Sequence, residues 1–318
     1  TTLMTNRKAV KKSLVVPVFN EEACIMPFLE KIEQTFPEDT SDNLEIVFVD
    51  DGSTDTTLQR LIELQATNNK IKIIELSRNF GKEAALLAGI KQADGNVVIP
   101  IDVDLQDPPE LIHDMIREWQ AGNEVVLAVR TDRQTDSFSK RFLANLFYKV
   151  QEFTLEKSMP SNCGDFRLMD RTVVDALNQL SENQLFMKGL FSWVGFRTSR
   201  VEYARPVRSS GTPKFNFFRL LDLGVGGIIS FSIIPVRLFS ILGLLAMLFS
   251  LSYAGFILFQ TLVYGVETPG FATLIIFISL LGSIQLMGIG MLGEYIGRTY
   301  FEAKRRPSFI IRKIHQTK

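Results

Sequence analysis

The chain is poor in histidine and cysteine, with two of each among 318 residues. His113 and His315 stand in no cluster, which excludes a histidine-based metal site and a Ser-His-Asp arrangement. His113 falls on a helix pattern and reads as a surface residue. Cys24 and Cys163 supply no disulfide framework, in keeping with a reducing compartment. Net charge is absent too: 35 basic side chains balance 35 acidic ones, so no global charge points to nucleic acid. The opening TTLMTNRKAVKK is polar and basic without an apolar core. No cleavable signal peptide is expected there, and residues 1–12 read as a disordered lead-in.

Charge is missing locally as well. No residue between Arg237 and Glu267 is charged, and none between Glu267 and Glu294. Each gap exceeds the ~20 apolar residues that cross a bilayer core. The expectation is a membrane hairpin, with spans at 237–266 and 268–293, carrying a soluble front end. The link YGVETPG has one acid and no base, whereas Arg219 and Arg237 precede the spans. Arg298, Lys304, Arg305, Arg306, Arg312 and Lys313 follow. By the positive-inside bias, the front domain and the C-terminus are cytoplasmic. The basic segment 294–318 reads as a tail, either solvated or lying on anionic lipid. Residues 214–236 are apolar but broken by Asp222 and glycines, and read as interfacial helices. GIGMLG (288–293) has dinucleotide-loop spacing, but it lies inside the second span with no strand before it. With Gly297 it suggests close helix packing instead, and such glycine-rich spans allow a homo-oligomer.

From Ser13 onward, short Val/Ile-rich runs alternate with amphipathic patterns. SLVVPV, LEIVFVD, IKIIEL, NVVIPIDVD and EVVLAV read as strands, and 21–36, 54–67, 82–92 and 108–121 as helices. Continuous apolar strands alternating with helices predict an α/β domain over 13–213, built on a doubly wound, mostly parallel sheet. A helix ending near Leu180 follows NCGDFRLMDR. Ligands bind beyond the carboxyl ends of such strands. That brings together the loops FNEE, DDGSTD, SRNFGKE and DVDLQD.

The chemistry concentrates in these loops. Asp102 and Asp104 stand two apart, so on a continuing strand they face one ligand together. Two adjacent ionised carboxylates require a cation, and an oxygen-only donor set implies Mg2+ or Mn2+, which bring phosphates as further ligands. Gln106, again two residues on, adds a neutral carbonyl oxygen if the strand path continues. Asp107 before Pro108 reads as a helix N-cap. Asp50 and Asp51 end the second strand, Gly52 permits a tight turn, and Asp55 or Ser53 can cap the next helix. Taken alone, that loop is equally a capped turn or a site.

PVFNEE (17–22), VDDGSTD (49–55), RNFGKEAAL (78–86), DVDLQDPPE (102–110), GDFRLMDR (164–171) and RSSGTPKFN (208–216) occur in the order of family 2 glycosyltransferases. The set resembles the polyisoprenyl-phosphate sugar transferases, including dolichyl-phosphate mannose synthase. With two spans ending in GEYIGRTYFEAKRRP, it is most similar to the bacterial GtrB-type subgroup that makes undecaprenyl-phosphate glucose. The resemblance implies a GT-A-type fold, a UDP-sugar donor, a polyisoprenyl phosphate acceptor and a place in the bacterial inner membrane. It assigns the nucleotide sugar to Pro17, Phe19, Glu21, Asp51, Asp102 and Val103, and the metal to Asp104 and Gln106. It also implies that Arg208 and Lys214 contact donor phosphates, although GTPKF departs from the usual loop. Arg130 and Arg141 match the acceptor-phosphate arginines, whose planar forks suit phosphate; Phe138, Phe142 and Phe147 near them fit a prenyl chain or ordinary core packing.

Asp165 matches a position near the catalytic base of related enzymes. A phosphate acceptor has a second pKa of ~6 and needs little base. Asp165 is therefore assigned to sugar binding or positioning, with a minor share of proton abstraction, against a structural ion pair with Arg167 or Arg171; with Asp104 and Arg130 it makes up the expected catalytic set. Glucose rests on the subgroup; mannose, N-acetylhexosamine and amino-arabinose derivatives are alternatives. A processive polysaccharide synthase is the rival enzyme, but no Q-x-x-R-W element accompanies Trp119 or Trp193.

Overall fold

The computed structural model describes residues 10–131, 163–179, 195–203, 234–265 and 270–316. The chain divides into two compact units, one comprising residues 1–215 and 306–318, the other 216–305.

The first unit is a sheet covered on both faces. Its elements run β1 (Lys12–Val18), α1 (Glu22–Thr35), β2 (Leu44–Asp50), α2 (Thr57–Gln65), β3 (Ile71–Leu76) and α3 (Lys82–Gln92). Next come β4 (Val97–Pro100), α4 (Leu111–Gln120), β5 (Val125–Arg130), β6 (Cys163–Asp170), α5 (Arg171–Asn178) and β7 (Thr198–Tyr203). Successive strand residues face opposite sides. Leu14, Val16 and Val18 of β1 accordingly join Phe28, Ile32 and Phe48 in one cluster, while Val15 joins Val49, Ala85 and Ile90 in the other. Helix α3 rests directly on the sheet at Gly89, where a Cβ would fall 2.3 Å from Val15 Cγ1 and 2.8 Å from Val49 Cγ2. Only glycine allows that approach.

The strand order is β7-β5-β6-β4-β1-β2-β3-β8, where β8 is Ile311–His315. Parallel pairing joins β4, β1, β2 and β3, and also β5 with β7. The other three pairings, β3 with β8, β4 with β6 and β5 with β6, are antiparallel. The sheet is thus mixed, with a parallel centre, where the sequence suggested a mostly parallel one.

Three expectations need correction. The fourth strand ends at Pro100, so Asp102 and Asp104 lie in a turn and not on a strand. Helix α4 starts at Leu111 and has no side-chain cap, so Asp107 caps nothing. The basic C-terminal segment is neither a solvated flank nor a lipid-bound one throughout. Its residues 311–315 extend the sheet at β3, tied by Gln65 Nε2 to the His315 carbonyl at 2.6 Å. Glu75 of β3 also meets Arg312 at 3.2 Å and His315 at 3.2 Å.

The second unit contains two long helices, α6 (Ile234–Tyr264) and α7 (Phe271–Ala303). Phe249 and Tyr253 of α6 stack on Phe277 of α7, with ring centroids 6.3 and 5.2 Å apart. Large apolar residues such as Phe259, Leu262, Ile278 and Leu286 are exposed along both. Among the described residues nothing approaches Gly290, Gly293 or Gly297 within 4 Å of where a Cβ would stand. Counted over the described side chains alone, no helix offers a window long and apolar enough to cross a membrane; both helices also contain residues outside that set. The stretch 214–233, read as interfacial helices, lies outside the described residues, and 234–236 form the start of α6.

Candidate active site

The carboxyl ends of β1 to β4 surround a cleft of about 290 Å³. Pro17, Phe19 and Glu21 line it from the first loop, Asp51 from the second, Asn79 and Lys82 from the third. Asp102, Val103 and Asp104 line it from the fourth. Six of the eight residues assigned to the nucleotide sugar by resemblance therefore meet in one place, with Asp104; the other two, Arg208 and Lys214, lie outside the described residues.

The loops are fastened to one another. Asn20 takes a left-handed φ of 56°. Its side-chain oxygen accepts the Thr54 N–H at 2.8 Å, and its own N–H donates to Ser53 Oγ at 3.1 Å. Glu21 N–H donates to Thr57 Oγ1 at 3.0 Å. Asp55 receives the N–H of Thr57, the first residue of α2, at 3.0 Å, although the N-cap position itself falls on Thr56 and not on Asp55 or Ser53. Gly52, at φ 71°, lies so close to the third loop that a Cβ would sit 2.6 Å from the Arg78 carbonyl carbon.

Asp51 is buried and takes the N–H groups of Phe80 at 2.7 Å and Gly81 at 2.9 Å. Burial raises its pKa above the usual carboxylate range, against the pull of those two bonds. Each oxygen keeps a lone pair, so this acid both builds the loop and can still accept from a ligand.

The turn after β4 explains Gln106. Leu105 adopts a left-handed φ of 55°, which folds the chain back. Gln106 donates to Asp104 from both its backbone N–H, at 3.1 Å, and its side-chain amide. The two side chains expected to act together are adjacent, although through a turn and not along a strand. Asp104 is exposed, and among the described residues no cationic side chain pairs with it. No group of three or more His, Cys, Asp or Glu forms a cage among the described residues. An ion here would have few protein ligands.

Lys82, the first residue of α3, was not singled out by the sequence. Its ammonium lies 2.7 and 2.8 Å from the two oxygens of Asp102 and 3.2 Å from Asp165 Oδ2. Burial alone lowers the Lys82 pKa, but the two carboxylates outweigh it and hold the group above its usual value. Burial raises Asp102, with Lys82 opposing. The Asp165 side chain thus meets Lys82, a partner not considered in the alternative reading of an ion pair with Arg167 or Arg171. Arg171 turns to the carbonyls of Ala93, at 2.8 Å, and Gly95. Arg167 is buried, its pKa pushed down to about 10, and donates to the Gly164 carbonyl at 2.7 Å, bracing the backbone beside Asp165.

Arg130 ends β5 and does not line the cleft. Its Nε donates to the Tyr203 hydroxyl at 3.1 Å and its Nη2 meets Asp107 at 3.3 Å. Tyr203 also donates to Asp107, which is buried. Burial, then the Asp107 bond, pushes the Tyr203 pKa up to about 12. Asp107 is therefore the anchor of Arg130. Arg141, Arg208 and Lys214 lie outside the described residues, as do Phe138, Phe142 and Phe147.

Residues 13–177 match the family described as glycosyl transferase family 2. The chain belongs to that family. The family's sequence match spans every loop around the cleft. Over 307 residues the chain is 47% identical to an SfII prophage-derived bactoprenol glucosyl transferase of Shigella flexneri, covering 96% of this chain and 99% of that protein. It is 46% identical over 305 residues to a prophage bactoprenol glucosyl transferase homolog of Escherichia coli, again covering 96% and 99%. An uncharacterized glycosyltransferase of Synechocystis is 45% identical over 309 residues, covering 95% of each chain. Among solved structures, glucosyl-3-phosphoglycerate synthase from Mycobacterium tuberculosis with Mn2+, UDP and phosphoglyceric acid overlaps at a TM-score of 0.47 and 21% identity. That overlap covers 70% of this chain and 78% of the synthase.

Proposed function

We propose that this family 2 glycosyltransferase moves glucose from UDP-glucose to the phosphate of a polyisoprenyl phosphate, undecaprenyl phosphate, at the cytoplasmic membrane face. Near full-length similarity to bactoprenol glucosyl transferases supports the reaction. The observation that carries the site is the convergence of Asp51, Asp102 and Asp104 with Pro17, Phe19 and Glu21 on one cleft. Pro17, Phe19, Glu21 and Asp51 receive the base and ribose, and Asp102 and Val103 face the rest of the donor beside the ion site. Arg208 and Lys214 meet the donor phosphates.

The donor set fits a hard divalent ion. The ligating groups are oxygens only, Asp104 is exposed, and neutral Gln106 sits against it. Asp104 and Gln106 would hold Mg2+ or Mn2+. Such an ion neutralises the charge that develops on the leaving diphosphate. Arg130, held by Asp107 and Tyr203, and Arg141 orient the acceptor phosphate for in-line attack on the anomeric carbon. A single displacement converts the α-linked donor to a β-linked lipid phosphate sugar. The acceptor is already an oxyanion near neutral pH, so Asp165 positions the sugar and does not abstract a proton.

The membrane reading joins the same proposal. At a rise of 1.5 Å per residue, α6 and α7 each exceed a hydrocarbon core of ~30 Å. Their exposed apolar faces fit lipid, and β8 returns the chain to the first unit's sheet, which requires an even number of crossings. A second reading keeps this chemistry with another hexose. Asp104→Asn tests the ion site: turnover is expected to be lost without a change in thermal midpoint, as it is when wild type is treated with a chelator. Metal-dependent transfer surviving in that variant would sink the assignment.

A further inference from the structure

The cleft receives a donor with two chemically different halves, an anionic diphosphate and an uncharged sugar rich in hydroxyls. Glu21, Asp51, Asp102 and Asp104 line it, and Lys82 is the cationic side chain among its lining residues. Lys82 is not free to serve the diphosphate. Its ammonium is chelated by both oxygens of Asp102, at 2.7 and 2.8 Å, and shared with Asp165 at 3.2 Å. Its charge is already engaged by carboxylates, and carboxylate oxygens suit the hydroxyls of the uncharged half.

We infer that Lys82 is a positioning residue that fixes Asp102 and Asp165 as a paired hydroxyl acceptor for the transferred sugar. The inference rests on the glycosyltransferase reading above. An ionised carboxylate has about four acceptor positions. Lys82 occupies two on Asp102, which leaves that carboxylate able to accept sugar O–H groups as well, and Asp165 stands at the same ammonium. Three different elements set the geometry. Lys82 opens α3, Asp102 follows β4 and Asp165 lies on β6. Strands β4 and β6 pair directly, with Val98 opposite Met169. Lys82 itself is fixed from behind, because Asp51 holds the N–H groups of Phe80 and Gly81 just before it. Without the ammonium, Asp102 and Asp165 would repel and separate, and neither would keep its place relative to a bound hexose.

The test compares Lys82→Met and Lys82→Arg with wild type, using the full-length protein in detergent and titrating UDP and UDP-glucose separately. Losing charge-assisted contacts to the sugar predicts that Lys82→Met binds UDP-glucose ~10- to 100-fold more weakly. UDP, which lacks the hexose, should bind within about 2-fold of wild type, because its contacts lie elsewhere in the cleft. Lys82→Arg, which can span both carboxylates, should recover most of the UDP-glucose affinity, and thermal midpoints report that each variant is folded. Equal weakening of UDP and UDP-glucose would overturn the inference, since Lys82 would then act on the nucleotide or diphosphate. Unchanged UDP-glucose binding in Lys82→Met would overturn it too. If wild type transfers a different hexose, the glucose assignment fails, and the same comparison is made between UDP and that UDP-hexose.

Discussion

Asp107→Asn separates two roles for one acid. In sequence Asp107 precedes Pro108 as an N-cap would, and asparagine caps a helix about as well as aspartate. A capping role predicts a silent substitution. In the structure Asp107 is 3% exposed, receives the Tyr203 hydroxyl and stands 3.3 Å from the Arg130 guanidinium. At that separation the Coulomb attraction is about 5 kcal/mol for an effective dielectric of about 20. Arg130 keeps 29% of its side chain in solvent, which replaces much of the lost attraction. A net loss of about 1–2 kcal/mol remains. Expressed at the acceptor phosphate, that is a rise of ~5- to 30-fold in KM for undecaprenyl phosphate. The assay varies the lipid at saturating UDP-glucose, then the reverse. KM for UDP-glucose should stay unchanged, because Arg130 does not line the donor cleft. Wild-type kinetics for both substrates, or an effect confined to UDP-glucose, would refute the anchoring role.

Two further outcomes follow from local geometry. Gly52→Ala places a Cβ 2.6 Å from the Arg78 carbonyl carbon at a φ of 71°. It should lower stability by about 1–3 kcal/mol and raise KM for the donor as the second and third loops part; an unchanged melting curve and donor KM would contradict this. Burial, reinforced by a bond to Glu21, raises the Cys24 pKa from 9.0 to about 11. Iodoacetamide should therefore modify Cys24 at pH 8 ~100-fold more slowly than a free thiol. The folded pKa is the higher one, so this group leaves stability flat below about pH 9 and lowers it as pH rises from there towards 11. Labelling at the rate of a free thiol would count against the burial.

The central sheet was legible because its strands are continuous runs of Val, Ile and Leu, buried on both sides. LEIVFVD and IKIIEL coincide with β2 and β3 residue for residue. The added strands were not, because their signals are local and weak. TSRVEY of β7 and IRKIH of β8 carry charges and are exposed at alternate or several positions, as sheet-edge strands often are. IRKIH resembled a membrane-flanking basic tail until Glu75 and the open edge of β3 are known to face it.

The site divides similarly. Asp102 and Asp104 follow from a strand end in a doubly wound sheet, whatever the path of the loop, whereas Asp51 stood out through the family resemblance. The roles of Asp107 and Lys82 follow from contacts across the chain. Asp107 meets Tyr203 from 96 residues away, and Lys82 meets Asp102 from 20 away. A lysine opening a helix carries no local mark of such pairing. Gln106 was recognised as the neutral neighbour of Asp104, but the turn at Leu105, not strand alternation, brings it there.

The most direct measurement is the mass of the lipid product formed when the purified protein is incubated with undecaprenyl phosphate, UDP-glucose and Mg2+ or Mn2+. The account predicts undecaprenyl phosphate carrying one hexose, in the β configuration, formed only when a divalent ion is present. Hydrolysis of UDP-glucose without a lipid product, or a lipid bearing a growing chain of hexoses, would contradict it.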